Sequence, residues 1–125
     1  MDAPTLRDQL THFTGSATFT RHRLLPRMIL TEGVRWLADT AGAHWVTDVI
    51  ASYQHEPHVQ SEHFQAWRLL VDTTTHAAVI LMTDGNSDAP LVQQRISYTD
   101  FPLEEVTLWL ITQGEHVILM LPSEY

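Results

Sequence analysis

Two residue types are missing from this sequence of 125 residues, cysteine and lysine. The seven residues counted as lysine or arginine are all arginines. Without cysteine the chain forms no disulfide and offers no thiolate to a metal or a substrate, which fits a reducing compartment such as the cytoplasm. Without lysine it cannot form a Schiff base or use the lysine of a phosphate-binding P-loop. Several classes of enzyme are therefore excluded.

Long hydrophobic runs are missing as well. The longest, at 77–82 and 117–121, are far shorter than the roughly 20 residues that a membrane span needs. The N-terminus has no basic segment followed by an apolar run, so no signal peptide is predicted. Hydrophobic residues make up 44% and charged residues 18% of the chain, which is the composition of a folded domain. We expect one cytoplasmic domain over residues 1–125 that does not contact a membrane.

The chain is strongly acidic, with a formal net charge of −8. This charge disfavours direct contact with nucleic acid, because nucleic-acid-binding proteins present a basic face that displaces counterions. Four arginines nevertheless lie close together in the sequence: Arg21, Arg23, Arg27 and Arg35. They could form a local basic patch, but arginines that balance neighbouring acids are the favoured interpretation.

Hydrophobic periodicity predicts helices in the first half of the chain. Apolar residues at helical spacing indicate a first helix over Thr5–Phe13. Thr31 has the side chain of an N-cap for a second helix, and Gly42 suits its C-terminal end. A third helix with a wide apolar face is predicted over His44–Gln54.

Strand-like runs fill the second half of the chain. They lie at 64–73, 77–84, 91–100, 106–112 and 116–122, and short turn-forming segments separate them. A short strand at 17–22 and an extended segment at 28–30 are also indicated. The order of elements predicts an α+β fold, with N-terminal helices packed on one face of an antiparallel meander of about five strands.

The stretch HEPHVQSEH at 55–63 places three histidines and two glutamates in nine positions. A zinc-protease helix needs H-E-x-x-H, which puts two histidines one turn apart on one face. Here Pro57 would interrupt such a helix, and His58 and His63 are five residues apart. A solvated loop is therefore favoured over a metal site formed by His55, His58 and His63, and no metal is predicted.

Other motifs of catalytic or metal sites are incomplete. The stretch DGNSDAP begins like a calcium loop but has Ala89 and Arg95 where an EF-hand needs glycine and glutamate. The serine of TGSAT, Ser16, lacks the G-x-S-x-G turn of a hydrolase nucleophile. No glycine-rich phosphate cradle is present. We predict no catalytic residue and no cofactor.

Trp36 lies off the apolar stripe of the second predicted helix, and Arg35 immediately precedes it in the sequence. Tryptophan and arginine dominate the energetic centres of protein interfaces, so an exposed Trp36 would be an interface anchor. Packing at the edge of the core is nevertheless the favoured interpretation.

Three segments together resemble a known family. They are FTGSATFTRH (13–22), LTEGVRWLADTAGAHWVTDVIASYQ (30–54) and the segment that runs from YTDFPLEEVTLWL to LPSEY (98–125). They are similar to small proteins of bacteria, plasmids and phages that are grouped only as a domain of unknown function. The resemblance implies no catalytic residue or cofactor. It does suggest one class of function, because small acidic proteins of mobile elements often inhibit host defences.

Surface carboxylates are the predicted partner-binding groups. They fall in turns or at strand ends, where they can project from the domain, and together with Trp36 they form the candidate site: Asp84, Asp88, Asp100, Glu104 and Glu105. An acidic surface of this kind would attract a basic partner. The alternative is that these carboxylates only keep the domain soluble. The acids of TDFPLEE could instead begin a helix, with Asp100 as its cap.

Three functions are consistent with these observations. The first is a non-catalytic module that binds a basic, nucleic-acid-binding protein, for example a mobile-element inhibitor of the anti-CRISPR or anti-restriction type. The second is a metal-assisted hydrolase or a metal-binding protein that uses the histidines. The third is a structural or regulatory homo-oligomer such as a homodimer. The first is favoured by the charge, the incomplete motifs and the resemblance.

Overall fold

The computed structural model describes residues 2–125, which form four α-helices, a seven-stranded sheet and a short 3-10 helix. The helices are α1 (Ala3–Leu10), α2 (Glu32–Ala41), α3 (His44–Tyr53) and α4 (Pro57–Gln60). The strands are β1 (Thr20–Arg21), β2 (Met28–Leu30), β3 (Phe64–Val71), β4 (Ala78–Thr83), β5 (Val92–Ile96), β6 (Glu105–Gln113) and β7 (His116–Met120), and the 3-10 helix is Pro122–Glu124. Within these residues, none of the helices has the length and apolar character to cross a bilayer.

The strand order in the sheet is β1-β2-β7-β6-β3-β4-β5. Neighbouring strands are antiparallel except β2 and β7, which run parallel with Met28 opposite Val117. The α+β class is confirmed, but the prediction of a meander of about five strands is wrong in number and order. The two short strands β1 and β2 extend the sheet, and β6 pairs with β3 instead of β5.

The positions of β3 and β5 have a physical reason. Burial alternates along β3, so an apolar set of side chains lies on one face and central pairing satisfies both backbone edges. In β5, Gln93 and Arg95 are exposed, which suits an edge strand because polar side chains discourage further pairing. The chain therefore returns across the sheet to place apolar β6 beside β3.

The buried face of the sheet contacts α3. In β3 every second residue from Gln65 to Val71 is buried. The ring of Tyr53 lies 5.8 Å from that of Trp67, and its hydroxyl donates to Gln94 Oε1 at 2.8 Å. The predicted wide apolar face of the third helix is thus seated on β3, and its polar edge is fixed by a strand at the far side of the sheet.

A buried glutamine pair joins α3 to β3. Gln54 and Gln65 are each 1% exposed, and each side-chain amide donates to the other at 2.9 and 3.0 Å. Gln65 Oε1 also accepts from Trp67 Nε1 at 2.9 Å. Its Nε2 donates to the carbonyls of Val59 and Glu62 at 3.0 and 3.2 Å. The pair therefore fixes the segment that leads from α3 into the sheet.

The C-terminal segment supplies hydrogen-bond acceptors to the start of α2. Thr31 is the N-cap as predicted, with Oγ1 accepting from Val34 N at 3.3 Å, and Gly42 ends the helix with φ 63°. Glu124 Oε1 accepts from Thr31 Oγ1 at 2.6 Å, and its Oε2 accepts from Gly33 N at 3.1 Å. A carboxylate at a helix N-terminus is favoured by the helix dipole.

Candidate binding surfaces

The histidine-rich stretch 55–63 contains α4, which begins at Pro57. Proline suits the first position of a helix, because its missing N–H has no partner there. His55, His58 and His63 are exposed, whereas Val59 is fully buried. The histidines are thus solvent-exposed, as a solvated loop would have them, but the stretch contains a short helix that the sequence interpretation did not include. Within residues 2–125, no three histidine, aspartate or glutamate side chains are grouped to hold a metal ion.

Metal analysis tests the prediction that His55, His58 and His63 form no metal site. Protein purified without a histidine tag should contain less than stoichiometric zinc, nickel or iron, because these exposed side chains point to no shared centre. The matched control is His58→Ala, which should leave the trace content unchanged. One equivalent of metal that disappears in His58→Ala would contradict the prediction.

The predicted acidic residues lie in two groups at opposite ends of the sheet. Asp84 and Asp88 are in the loop after β4, beyond the paired residues Met82 and Val92. Asp84 Oδ1 accepts from the backbone N–H groups of Asn86 and Ser87 at 2.9 and 3.1 Å, so part of its role is to fix the turn. The second group lies before and at the first residue of β6, at the end of the sheet where Ala78 pairs with Ile96.

In the second group, the three carboxylates are exposed but differ in their partners. Asp100 Oδ1 accepts from the Tyr98 hydroxyl at 2.8 Å, and this hydrogen bond together with the negative charge raises the pKa of Tyr98. Glu105 pairs with Arg68 at 2.7 Å. Glu104 forms no side-chain hydrogen bond within residues 2–125. No helix starts at Asp100, because the segment runs irregularly into β6, so the alternative of a helix cap is wrong.

Trp36 is partly buried and packs against the hydrophobic core. Its ring lies 5.6 Å from that of Phe13. It thus joins the segment after α1 to α2. Because the ring is partly buried, it offers a partner less surface than an exposed interface anchor would.

The face of the sheet opposite the buried one carries a row of aromatic side chains. The ring of Phe64 lies 5.4 Å from that of Trp109, which lies 5.7 Å from that of Tyr125. Phe64 and Trp109 are partly exposed, and Tyr125 is 81% exposed. We call this surface the second face. The sequence interpretation did not single it out, although the uninterrupted apolar run at 77–82 was a signal that both faces of a strand are apolar.

Aliphatic residues extend the aromatic row across neighbouring strands. Strand register places Phe64 beside Ile111, Ile111 beside Ile118, and Ile118 beside Ile29. Further along the strands, Arg68 lies beside Leu81. On the second face Arg68 and Thr107 separate two apolar groups. Together these groups comprise partly exposed residues of five strands: Ile29, Phe64, Leu70, Val79, Leu81, Trp109, Ile111 and Ile118.

A buried histidine, His22, lies on the opposite side of the molecule, against α3. Its Nε2 is 2.8 Å from Asp48 Oδ1. Its Nδ1 accepts from the backbone N–H groups of Leu24 and Leu25 at 3.2 and 3.1 Å, which fixes the tautomer with the proton on Nε2. Because both ring nitrogens are engaged, His22 has no free lone pair to act as a general base and instead shapes the loop that follows β1.

A second histidine–aspartate pair lies close to the first. His44 Nε2 is 2.7 Å from Asp39 Oδ1, and Arg35 Nε is 3.8 Å from the same carboxylate. Arg35 also donates to Thr20 Oγ1 at 3.0 Å, which ties β1 to α2. Within the described residues, no histidine ring hydrogen-bonds to a serine, threonine or tyrosine hydroxyl, so the arrangement of a base-activated nucleophile is not found there.

Comparison with known proteins gives one match, to the family of unknown function DUF6876, over residues 4–125. The chain belongs to DUF6876. No curated protein and no solved structure matches it with significant similarity. The resemblance inferred from the three sequence segments is thereby confirmed as membership of a domain family of unknown function.

Two of the segments that resemble the family meet in this DUF6876 protein. Residues 30–33 supply Thr31 and Gly33 at the start of α2, and residues 121–125 supply Glu124, which accepts hydrogen bonds from both. At least this part of the resemblance has a structural explanation. Tyr125, in the same segment, is exposed and extends the aromatic row of the second face.

Proposed function

We propose that this protein is a non-catalytic binding module whose second face docks onto an apolar surface, bordered by basic residues, of another protein. The observation that carries the proposal is the row Phe64, Trp109 and Tyr125, whose neighbouring rings are 5.4 and 5.7 Å apart. Tryptophan and tyrosine are the side chains that contribute most to protein interfaces. A contiguous apolar surface on a small domain is a common mark of a binding site.

In this proposal the helices cover only the buried face of the sheet. The contacts that support it are those of Tyr53 with Trp67 and Gln94, and of Gln54 with Gln65, all on that face. The five strands have an average length of about 6 residues, and at about 4.8 Å between strands and about 3.3 Å per residue they give the second face roughly 500 Å² in projection. The accessible area of a side-chain surface exceeds its projection, so this approaches the ~800 Å² per partner of a standard interface.

Charge favours a basic partner over a second copy of the chain. The domain carries a net charge of −8, and acidic residues flank the second face at both ends: Asp84 and Asp88 at one, Asp100 and Glu104 at the other. Face-to-face packing of two copies would place acidic ends against acidic ends. A partner with basic residues around an apolar centre would match both features and would be attracted at long range.

Nucleic-acid-binding proteins present basic surfaces of this kind. Inhibition of such a protein in a host defence system is the specific form of the function that we propose, in agreement with the resemblance to proteins of mobile elements.

Site-specific cross-linking tests the proposed surface. A photoreactive phenylalanine analogue at Leu81, on the second face, should cross-link to one basic protein in a lysate of the native host. The matched control is the same analogue at Leu24, which is 77% exposed but lies outside this face.

The captured protein is then purified, and Trp109→Ala should weaken its binding by about 30-fold, as expected for a central aromatic residue. Trp36→Ala, at the anchor predicted from sequence, should change the affinity little.

Equal cross-linking from Leu81 and Leu24 would refute the proposed surface. Dimers that form in solution and dissociate in Trp109→Ala would show instead that a second copy covers the second face.

Charge reversal tests the acidic border separately. Asp100→Lys, Glu104→Lys and Glu105→Lys together should slow association with the captured partner, and the difference from the original protein should shrink as salt rises, because exposed charges are screened over about 8–10 Å in physiological buffer. Folding should be retained because exposed substitutions usually change stability by only about 0.5 kcal/mol. An association rate that is independent of both charge and salt would contradict the electrostatic part of the proposal.

A further inference from the structure

A cavity of about 270 Å³, lined mainly by charged and polar residues, lies between β1 and the helices α2 and α3. Three of the seven arginines of the chain line it: Arg21, Arg23 and Arg35. Four other cavities in the described part of the chain are lined by at most one arginine each. In a protein with a net charge of −8, this concentration of cationic side chains sets the cavity apart.

The two carboxylates that line the cavity are already engaged. Asp39 is 2.7 Å from His44 Nε2 and 3.8 Å from Arg35. Asp48 is 2.8 Å from His22 Nε2. By contrast, neither Arg21 nor Arg23 forms an ion pair or a side-chain hydrogen bond within residues 2–125. The interpretation that the clustered arginines only balance neighbouring acids therefore fails for these two.

The walls of the cavity are held by contacts between different elements. Arg35 on α2 donates to Thr20 on β1 at 3.0 Å, and His22 after β1 contacts Asp48 on α3. His22 is 5% exposed and fixed by two backbone N–H groups. A site that is ordered before binding loses less conformational entropy when a ligand enters.

We propose that this cavity binds a phosphorylated sugar unit, either free or as part of a mononucleotide. Guanidinium groups bind phosphate oxygens with charge-assisted, often bidentate hydrogen bonds. Asp48 has a side chain that is 57% exposed, and its remaining acceptor capacity suits a sugar hydroxyl, as carboxylates do in nucleotide sites. The cavity volume of about 270 Å³ is just below the ~300–1,000 Å³ range of ligand sites, which suits one sugar phosphate better than a polymer.

Calorimetric titration with inorganic phosphate, ribose 5-phosphate, adenosine monophosphate and ribose tests this inference. Ribose 5-phosphate should bind saturably, with a dissociation constant below about 1 mM, and inorganic phosphate should bind more weakly. Tighter binding of adenosine monophosphate than of ribose 5-phosphate would assign the nucleotide as the ligand, and equal binding would assign the free sugar phosphate. Ribose alone should not bind, because it lacks the group that the arginines recognise.

Variants identify the groups that bind. Arg23→Gln should weaken ribose 5-phosphate about tenfold, as expected for the loss of a charged hydrogen bond. The matched control is Arg95→Gln, which removes one exposed charge from β5 and should leave affinity unchanged. Asp48→Asn keeps a contact to His22 and should weaken ribose 5-phosphate but not inorganic phosphate.

Three results would overturn the inference. They are no saturable binding of any phosphate compound, equal weakening by Arg23→Gln and Arg95→Gln, and binding of a single-stranded oligonucleotide without binding of the mononucleotide. The outcome is independent of the partner surface, because the cavity lies on the helical side of the molecule and the Trp109 variant leaves it intact.

Discussion

Replacing Gln65 with leucine is expected to lower the free energy of unfolding by about 3 kcal/mol, because the buried indole N–H and the amide oxygen of Gln54 would each lose a hydrogen-bond partner in the core. Gln65 Oε1 accepts from Trp67 Nε1 at 2.9 Å, and Gln65 Nε2 donates to Gln54 Oε1 at 3.0 Å. Leucine has nearly the same volume, so the loss reports on hydrogen bonds and not on a cavity. Chemical denaturation followed by tryptophan fluorescence measures the change.

Two further variants serve as controls for Gln65→Leu. Gln93→Leu makes the same exchange at an exposed position of β5 and should change stability by less than about 0.5 kcal/mol. The double variant with Gln54→Leu should be less destabilised than the sum of the two single variants, because it removes both members of the pair. Additive losses would show that the two amides are not coupled.

Replacing Glu124 with alanine should cost about 3 kcal/mol of stability, because hydrogen bonds to a charged group contribute about 1.5–3 kcal/mol each and the start of α2 would lose its acceptor. Glu124 accepts from Thr31 Oγ1, Gly33 N and Leu121 N at 2.6, 3.1 and 3.0 Å. Thermal unfolding measured by circular dichroism reports the loss.

Glu115→Ala is the control for Glu124→Ala, since Glu115 is exposed in the turn between β6 and β7. Its effect should stay within about 0.5 kcal/mol. Glu124→Gln should fall between the two, because an amide retains one acceptor oxygen of the carboxylate. Equal stability of the Glu124→Ala and Glu115→Ala proteins would mean that the C-terminal segment does not support α2.

The elements that sequence predicted correctly depend on local signals. Thr31 and Gly42 were identifiable as the ends of α2, because an N-cap hydroxyl and a left-handed glycine act within one helical turn. The contacts of Glu124 with Thr31 and Gly33 join residues 93 and 91 positions apart, and no local pattern indicates them. The extended segment at 28–30 was indicated by sequence and is β2, but its parallel pairing with β7 was not, because that pairing joins parts of the chain that are far apart in sequence.

The candidate surface was predicted less well than the fold. Sequence drew attention to Trp36 because it lies off a helical stripe, yet that ring packs against Phe13. Trp109 has the same side chain within a strand, and its exposure depends on which face of the sheet is buried. Alternation reveals that a strand has two faces but does not tell which of them is covered when both are apolar. The acidic residues were correctly placed in exposed segments, but their division between two ends of the sheet follows from strand order alone.

The parallel pairing of β2 with β7 has a consequence for the synthesis of the protein on the ribosome. β7 is the last strand to be made, yet it lies inside the sheet between β2 and β6. Until residues 116–120 have left the ribosomal tunnel, the facing edges of β2 and β6 have no partner, and the apolar segments of the nascent chain remain exposed to other chains. We therefore expect ribosome-bound chains that end before β7 to be cleaved readily by protease, and resistance to appear only after this strand emerges.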